Sequence, residues 1–457
     1  MASTSTSDVP SIPVVFTTKT AYPLPSQKFM IPSTWRRYQL SQLINKALSL
    51  PRVIPFDFLI GGEVLKGSLE ERAAGEEETL EIEYIESVMP PKRMANLPHE
   101  DWVSDISCQL PEHFLTSSYD GSIRVFSYAQ SLLLTWPLHT APITSISLIP
   151  SVSPSKTTRL VATASHDLTA QISEISLPLN QNDMDIAPST KTLASLHLHT
   201  APLSAIHSNS TGSRLLTSSW DGLIGLWDTT IPDSDEIPLT QIQAPGYGES
   251  GDRKKRRKVD KDADGETPGK GAKGVRKAPS AVLKSHTARV SDVQFGRGNE
   301  GKAVSCGFDS TLREWDVENG VCTNTISASE KPFLALTLPS SSTHPSSALA
   351  AATDRTVTLY DLRSSAATTS STVSFSHASA PSCLTFSSQE GSQQFVSGAY
   401  DGVVRLWDLR SAGREMASFK VWDGAQKVLG VDWSGSVVGI AGEGGVEVWK
   451  VGQDTEK

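Results

Sequence analysis

Residues 215–228 read LLTSSWDGLIGLWD, and the reading of this stretch decides the architecture. Apolar residues alternate, break at Asp221-Gly222 and alternate again, which is a strand, a tight turn and a strand. Near-copies recur along the chain. FLTSSYDGSIRVF ends at Phe126, AVSCGFDSTLREWD at Asp316 and FVSGAYDGVVRLWD at Asp408. In each copy an aromatic residue follows the turn Asp by the same short step: Asp120 to Phe126, Asp221 to Trp227, Asp309 to Trp315, Asp401 to Trp407. Roughly two dozen residues upstream of each turn stands a His: His99, His199, His286 and His377. Self-similarity at a period of roughly 40 to 45 residues with this signature predicts a β-propeller.

The turn Asp can accept a hydrogen bond from the upstream His. That His, a strand Ser or Thr, and the aromatic of the next strand can then join one buried polar chain. A buried carboxylate or imidazole is costly unless its hydrogen bonds are satisfied. A His beside an Asp raises the thought of catalysis, but an active site is made once and this pair recurs at nearly the same spacing. Its expected role is therefore structural.

At 457 residues the chain holds more than one domain or one large repeat array. A hydrophobic share of 38% and a charged share of 20% suit a globular protein. The net charge of −9 argues against a surface coated with basic residues for nucleic acid, while allowing a local basic patch. Cys108, Cys306, Cys322 and Cys383 are scattered without a CxxC pair, which suits a reducing compartment and offers no zinc pattern. No long apolar run predicts a membrane span, and MASTSTSDVPS lacks the basic start and apolar core of a signal peptide.

Residues 1–11 are small and polar and are expected to be a disordered tail. A separate unit follows over residues 12–88. VVFTTKT and QKFMIP read as strands. RRYQLSQLINKALSL carries Tyr38, Leu40, Leu43, Ile44 and Leu48 near helical spacing. PFDFLIGGEVL is a strand, a Gly61-Gly62 turn and a short strand, and TLEIEYIES closes the unit. That order is the order of a ubiquitin-like β-grasp. Residues 89–98 form a linker in which Pro90 and Pro91 break the last strand.

The repeats occupy residues 99–457, and seven can be counted. The second carries Ser173 where the aromatic belongs, the fifth lacks the His, and the seventh has Glu443 in place of the turn Asp. An open propeller would leave a sheet edge unpaired. The outer strand of the last blade is therefore expected from the N-terminal side, between about Arg93 and Leu97. A disordered basic insertion at about residues 229–280 separates the third and fourth repeats. Within it Lys254, Lys255, Arg256, Arg257 and Lys258 resemble a monopartite nuclear localisation signal. The other readings of this tract are a solvated basic run or nonspecific contact with RNA phosphate.

No GxxxxGK[ST], HExxH or GxSxG motif stands in the chain, and GEGG at residues 442–445 is a turn between strands rather than a phosphate cradle. The ten Trp residues fall mostly at repeat positions and are expected in the core or at blade edges. No enzyme, cofactor or metal of the isolated chain is expected. The expected class is mainly β: a seven-bladed WD40 propeller preceded by a ubiquitin-like α+β domain.

A ubiquitin-like domain directly ahead of WD40 repeats resembles the family with an NLE (Notchless-like) N-terminal domain. PFDFLIGGEVL, the joint PPK followed by EDWVS (Glu100 to Ser104), and the basic insertion resemble one branch of it, the WD-repeat ribosome biogenesis subunits of the PeBoW complex. The joint and the insertion separate that branch from Notchless itself, whose propeller carries a further repeat. The resemblance implies a non-enzymatic assembly factor of the large ribosomal subunit, needed for pre-rRNA processing in the nucleus, in nucleolus and nucleoplasm. Its propeller would bind a block-of-proliferation-type WD-repeat protein, which holds pescadillo on the pre-ribosomal particle. Its NLE domain would be bound by the MIDAS domain of the AAA-type ATPase midasin, with an acidic side chain completing the coordination of a divalent ion. A carboxylate oxygen is a suitable hard ligand for such an ion. Carried onto GEEETLEIEY by counting back from Leu80, that residue is Glu77, with Glu76 and Glu78 as register alternatives. Two other readings are a WD40 substrate adaptor of a ubiquitin ligase and a Notchless-type assembly factor.

Overall fold

The computed structural model describes residues 10–18, 20, 22–50, 53–71, 79–87, 91–150, 158–177, 188–237, 274–327, 330–339, 346–363, 371–389, 391–411, 413–424 and 426–452. Glu76, Glu77, Glu78 and the tract Lys254 to Lys258 lie outside the described residues. Two compact units divide the chain, residues 1–109 with 326–457 and residues 110–325.

The first unit begins with strands β1 (Ser11–Thr17) and β2 (Lys28–Pro32), helix α1 (Arg37–Leu48), and strands β3 (Phe56–Ile60), β4 (Glu63–Val64) and β5 (Leu80–Glu86). They form a sheet of order β2-β1-β5-β3-β4, in which the central pair β1 and β5 is parallel. This is the β-grasp arrangement. Alternation along β1 turns Ile12, Val14 and Phe16 inward, where they meet Leu40 and Ile44 of the helix and the rings of Phe56, Phe58 and Tyr84. The backbone N–H of Arg36 donates to Gln39 at 2.9 Å to start α1, and Ser49 in the left-handed region ends it. Tyr38 does not join the buried stripe. Two residues before Leu40 it sits about 200° around the helix, exposed, where Gln42 donates to its hydroxyl at 2.7 Å.

Each of the seven repeats forms an antiparallel sheet of four strands, and the second gains a fifth. The architecture is therefore that of seven WD40 blades behind a ubiquitin-like domain. The seventh sheet takes its outer strand from β6 (Lys92–Leu97), which pairs antiparallel with Gly445–Lys450. Residues 89–98 thus contain a strand as well as a connection. Arg93 is held to the buried Glu447 at 2.8 Å, and Trp449 Nε1 donates to the same carboxylate at 2.9 Å.

The insertion sits differently from its expected place between the third and fourth repeats. The outer strand of the third sheet, Ala281–Lys284, follows the insertion and pairs with Leu223–Asp228, which precedes it. The insertion therefore interrupts the third repeat. Its downstream flank, Val275–Lys277, adds in parallel to Ser189–His197 of the second sheet. The two flanks are zipped together: Glu236 N–H donates to Arg276 O at 2.9 Å, Arg276 N–H to Asp235 at 2.8 Å, and Lys277 Nζ to Thr230 O.

Candidate partner-binding surfaces

The recurring polar residues come first, because they position everything exposed around them. In the third repeat His199 Nδ1 donates to Asp221 at 3.1 Å. Thr217 Oγ1 lies 2.9 Å from His199 Nε2 and accepts from Trp227 Nε1 at 2.9 Å. The fourth repeat repeats the chain with His286 to Asp309 at 2.8 Å, Ser305 at 2.7 Å, and Trp315 donating to Ser305 at 2.8 Å. A carboxylate accepts only, so the direction of each chain is set: indole to hydroxyl, hydroxyl to Nε2, Nδ1 to Asp. Burial alone would raise Asp221 and Asp309, but the contacts with His199 and His286 hold both below the usual carboxylate range. Trp227 and Trp315 are fully buried. Each chain lies within one repeat and ties the connection carrying its His to the strands that follow, as mortar does.

The second repeat joins His139 to Asp167 at 2.8 Å and to Thr163 at 2.9 Å. Its chain stops there, because Ser173 occupies the indole position, and the buried Ser173 Oγ has no hydrogen-bond partner among the described residues.

Two expected pairings are replaced. In the first repeat Asp120 is bound by Arg124, while His99 Nδ1 lies 3.0 Å from Leu97 O. In the sixth, Trp407 donates to Ser397 at 2.9 Å and Ser397 meets His377 Nε2 at 2.7 Å, but His377 Nδ1 turns to Phe375 O at 3.2 Å. Asp401 is taken by Arg405 at 2.8 Å. An Arg four residues after the turn Asp competes with the His for the carboxylate and, as a charged donor, makes the stronger bond. His377, buried without a carboxylate bonded to Nδ1, is pushed down to about 4.

A second series was not singled out from the sequence. In five repeats the residue immediately before the turn Asp is a ring, Tyr119, His166, Trp220, Phe308 and Tyr400, while the fifth repeat has Thr353 before Asp354. This position follows the last inward residue of its strand and faces out of the turn. Trp220 is 44% exposed and Tyr400 39%, so Trp220 stands at an exposed turn and not in the core. Three of the rings are joined into a ladder in residues 110–325. The His166 imidazole meets the Trp220 indole edge-to-face at 5.3 Å. The Arg289 guanidinium lies 5.2 Å from the Trp220 ring centre and 3.3 Å from that of Phe308. Phe308 N–H donates to Arg289 O at 2.9 Å and Trp220 N–H to Pro202 O at 3.0 Å, so the loops carrying the ladder are pinned. Half-exposed Trp and Arg on a rigid frame are the residues that dominate protein–protein interfaces. The signal was legible as SSYD, SSWD, CGFD and GAYD, but alternation alone cannot say which ring of a repeat faces out.

Among the described residues no group of three or more His, Cys, Asp or Glu could hold a metal ion. Nor is any described helix long and apolar enough to cross a membrane.

A β-grasp domain ahead of seven WD40 blades is the domain order of an NLE-domain WD-repeat protein. The NLE (NUC135) domain family matches residues 12–72, and the family of the WD domain, G-beta repeat, matches residues 92–127, 190–228, 277–316 and 369–408. The chain is 54% identical over 470 residues to ribosome biogenesis protein YTM1 of Laccaria bicolor, covering 99% of both chains. It is 55% identical over 448 residues to the protein of that name from Coprinopsis cinerea, covering 97% of this chain and 95% of the relative. The Saccharomyces cerevisiae protein of that name is 31% identical over 395 residues, covering 83% and 82%. The chain belongs to the ribosome biogenesis protein YTM1 family.

Proposed function

We propose that the protein is a non-enzymatic assembly factor for the large ribosomal subunit, needed for pre-rRNA processing and acting in the nucleus. The propeller scaffolds a complex with a block-of-proliferation-type WD-repeat protein and, through it, pescadillo on the pre-ribosomal particle. The NLE domain is the handle that the MIDAS domain of midasin binds for release, with Glu77 as the carboxylate that reaches the divalent ion. The tract Lys254 to Lys258 is the nuclear import signal. Identity of 54% and 55% over nearly the full length to proteins named for ribosome biogenesis supports the process. The observation that carries the scaffold role is the ladder of His166, Trp220, Arg289 and Phe308: rigid, partly exposed, and unnecessary for the polar chains beneath it.

The test is co-purification of the full chain from nuclear extract with partners identified. Trp220→Ala with Arg289→Ala is expected to lose the block-of-proliferation-type protein, each substitution removing about 2 kcal/mol or more, while midasin is retained. Glu77→Ala is expected to do the reverse. Retention of the WD-repeat partner by the double variant would overturn the scaffold surface. Retention of midasin by Ala variants of Glu76, Glu77 and Glu78 tested singly would overturn the ion contact.

A further inference from the structure

The fifth and sixth repeats end their third strands on the same tripeptide, Asp361-Leu362-Arg363 and Asp408-Leu409-Arg410. Each Arg folds back onto its own Asp: Arg363 Nη2 at 2.8 Å, Arg410 Nη2 at 2.6 Å with Nε at 2.8 Å. The environments differ sharply. The Arg363 side chain is 76% exposed and its Asp 27%; the Arg410 side chain is 18% exposed and its Asp fully buried. The sequence of the motif cannot be the cause, since it is the same.

The difference comes from what covers the second copy. The third nitrogen of the Arg410 guanidinium reaches Glu83 of β5 in the ubiquitin-like domain at 3.4 Å. Burial alone would lower Arg410, but Asp408 first and Glu83 second hold it above the ordinary guanidinium range. The β3–β4 turn closes the contact. A Cβ on Gly62 would lie 3.2 Å from Arg410 O, whereas one on Gly61 would meet nothing within 4 Å. On the facing loop a Cβ on Gly413 would lie 3.2 Å from Glu63 Oε1. The Ser411 hydroxyl is buried beside this contact without a partner among the described residues.

We propose that Asp408 to Ser411, together with Gly413, of the sixth repeat are a dock for the ubiquitin-like domain, seated on Arg410, Glu83 and the close approach of Gly62. The dock, rather than the short connection between Ser87 and Lys92, sets which face of the domain is presented. It is reversible, because one partly exposed ion pair and a turn contact are a modest hold. Any partner that grips the β3–β4 turn or Glu83 must displace it. This inference is independent of which partner uses the domain.

Hydrogen exchange by mass spectrometry on the full chain tests it, with matched variants. Glu83→Lys places a cation against Arg410 and is expected to speed exchange in residues 60–63 and 409–413 by roughly two- to fivefold, the size set by one such ion pair. Gly62→Asn is expected to do the same, while Gly61→Asn, equally left-handed at φ +57 against φ +82, is expected to leave residues 409–413 unchanged. Arg363→Ala is expected to leave residues 60–63 unchanged. Unaltered exchange at 409–413 in both Glu83→Lys and Gly62→Asn, or equal effects of the two Asn variants there, would overturn the dock. Amide relaxation of the wild-type chain gives a second readout: a ubiquitin-like domain tumbling independently of the repeats would also overturn it.

Discussion

The fourth and sixth repeats carry the same four side-chain types in the same order, with Ser, Asp and Trp at the same spacing and the His one residue further off in the sixth, and only the fourth assembles them into one chain. His286 reaches Asp309 at 2.8 Å; His377 bonds a backbone carbonyl instead while Asp401 holds Arg405. Both repeats have an Arg four residues after the turn Asp. One difference is the Thr two residues after it. In the fourth, Thr311 Oγ1 donates to Asp309 at 2.8 Å and accepts from Arg313 Nε at 3.1 Å, so the Arg is intercepted and stays 3.7 Å from the carboxylate. In the sixth that position is Val403, which has no hydroxyl, and Arg405 goes directly to Asp401. A hydrogen-bond chain is thus decided by competing donors, and a residue outside the motif can choose the winner.

The largest expected effect that would break this comparison comes from deleting each carboxylate. Asp309 accepts from His286, Thr287 N–H and Thr311, with its side chain 4% exposed. Asp401 accepts from Val403 N–H and Arg405. Asp309→Ala is expected to lower the local stability of the fourth sheet by about 2–3 kcal/mol, and Asp401→Ala that of the sixth by about 1 kcal/mol or less. Native-state hydrogen exchange measures both, and equal costs would erase the distinction.

Next in size is acid sensitivity. His377 is held down from 6.5 to about 4 by burial, so the folded sheet keeps it neutral while the unfolded chain protonates. Its contribution is complete above about pH 6.5 and is lost as pH falls toward about 4, on the order of 1 kcal/mol by about pH 5.5. His286 is also lowered by burial, but Asp309 opposes the shift. Exchange measured from about pH 7 to about pH 5.5 is therefore expected to loosen the sixth sheet more than the fourth, and His377→Gln is expected to flatten the slope in the sixth. A fourth sheet that loosens more would reverse the comparison.

The smallest and most discriminating effect is Thr311→Val, which should make the fourth repeat resemble the sixth. Arg313 is expected to close on Asp309, costing less than about 1 kcal/mol. The titration of His286, followed by NMR of the imidazole, is expected to fall toward that of His377. An unmoved His286 would remove Thr311 as the deciding residue.

Most of the fold was legible because periodicity is a local property. Alternation with Asp-Gly turns identified the repeats, and strand-strand-helix-strand order identified the β-grasp, since each depends on residues close in sequence. The complete polar chains of the third and fourth repeats were legible too, as their members recur in register. The reassigned pairs at Asp120 and Asp401 were not, because competition among donors depends on reach across a sheet. Trp220 and Trp227 are seven residues apart in one repeat, and alternation does not tell the exposed ring from the buried one.

The sequence by itself determined that the repeats are small sheets, what kind of turn joins their strands, and which domain precedes them. The closing of the seventh sheet by Lys92–Leu97 was already legible from the need to pair its open edge. Only the tertiary structure decided that Ala281–Lys284 completes the third sheet across the insertion. It also decided that of two identical Asp-Leu-Arg tripeptides one is open to water and the other covered. Local patterns state what a segment can pair with. The partner it takes depends on free-energy differences of a kcal/mol or so among groups brought together from distant parts of the chain.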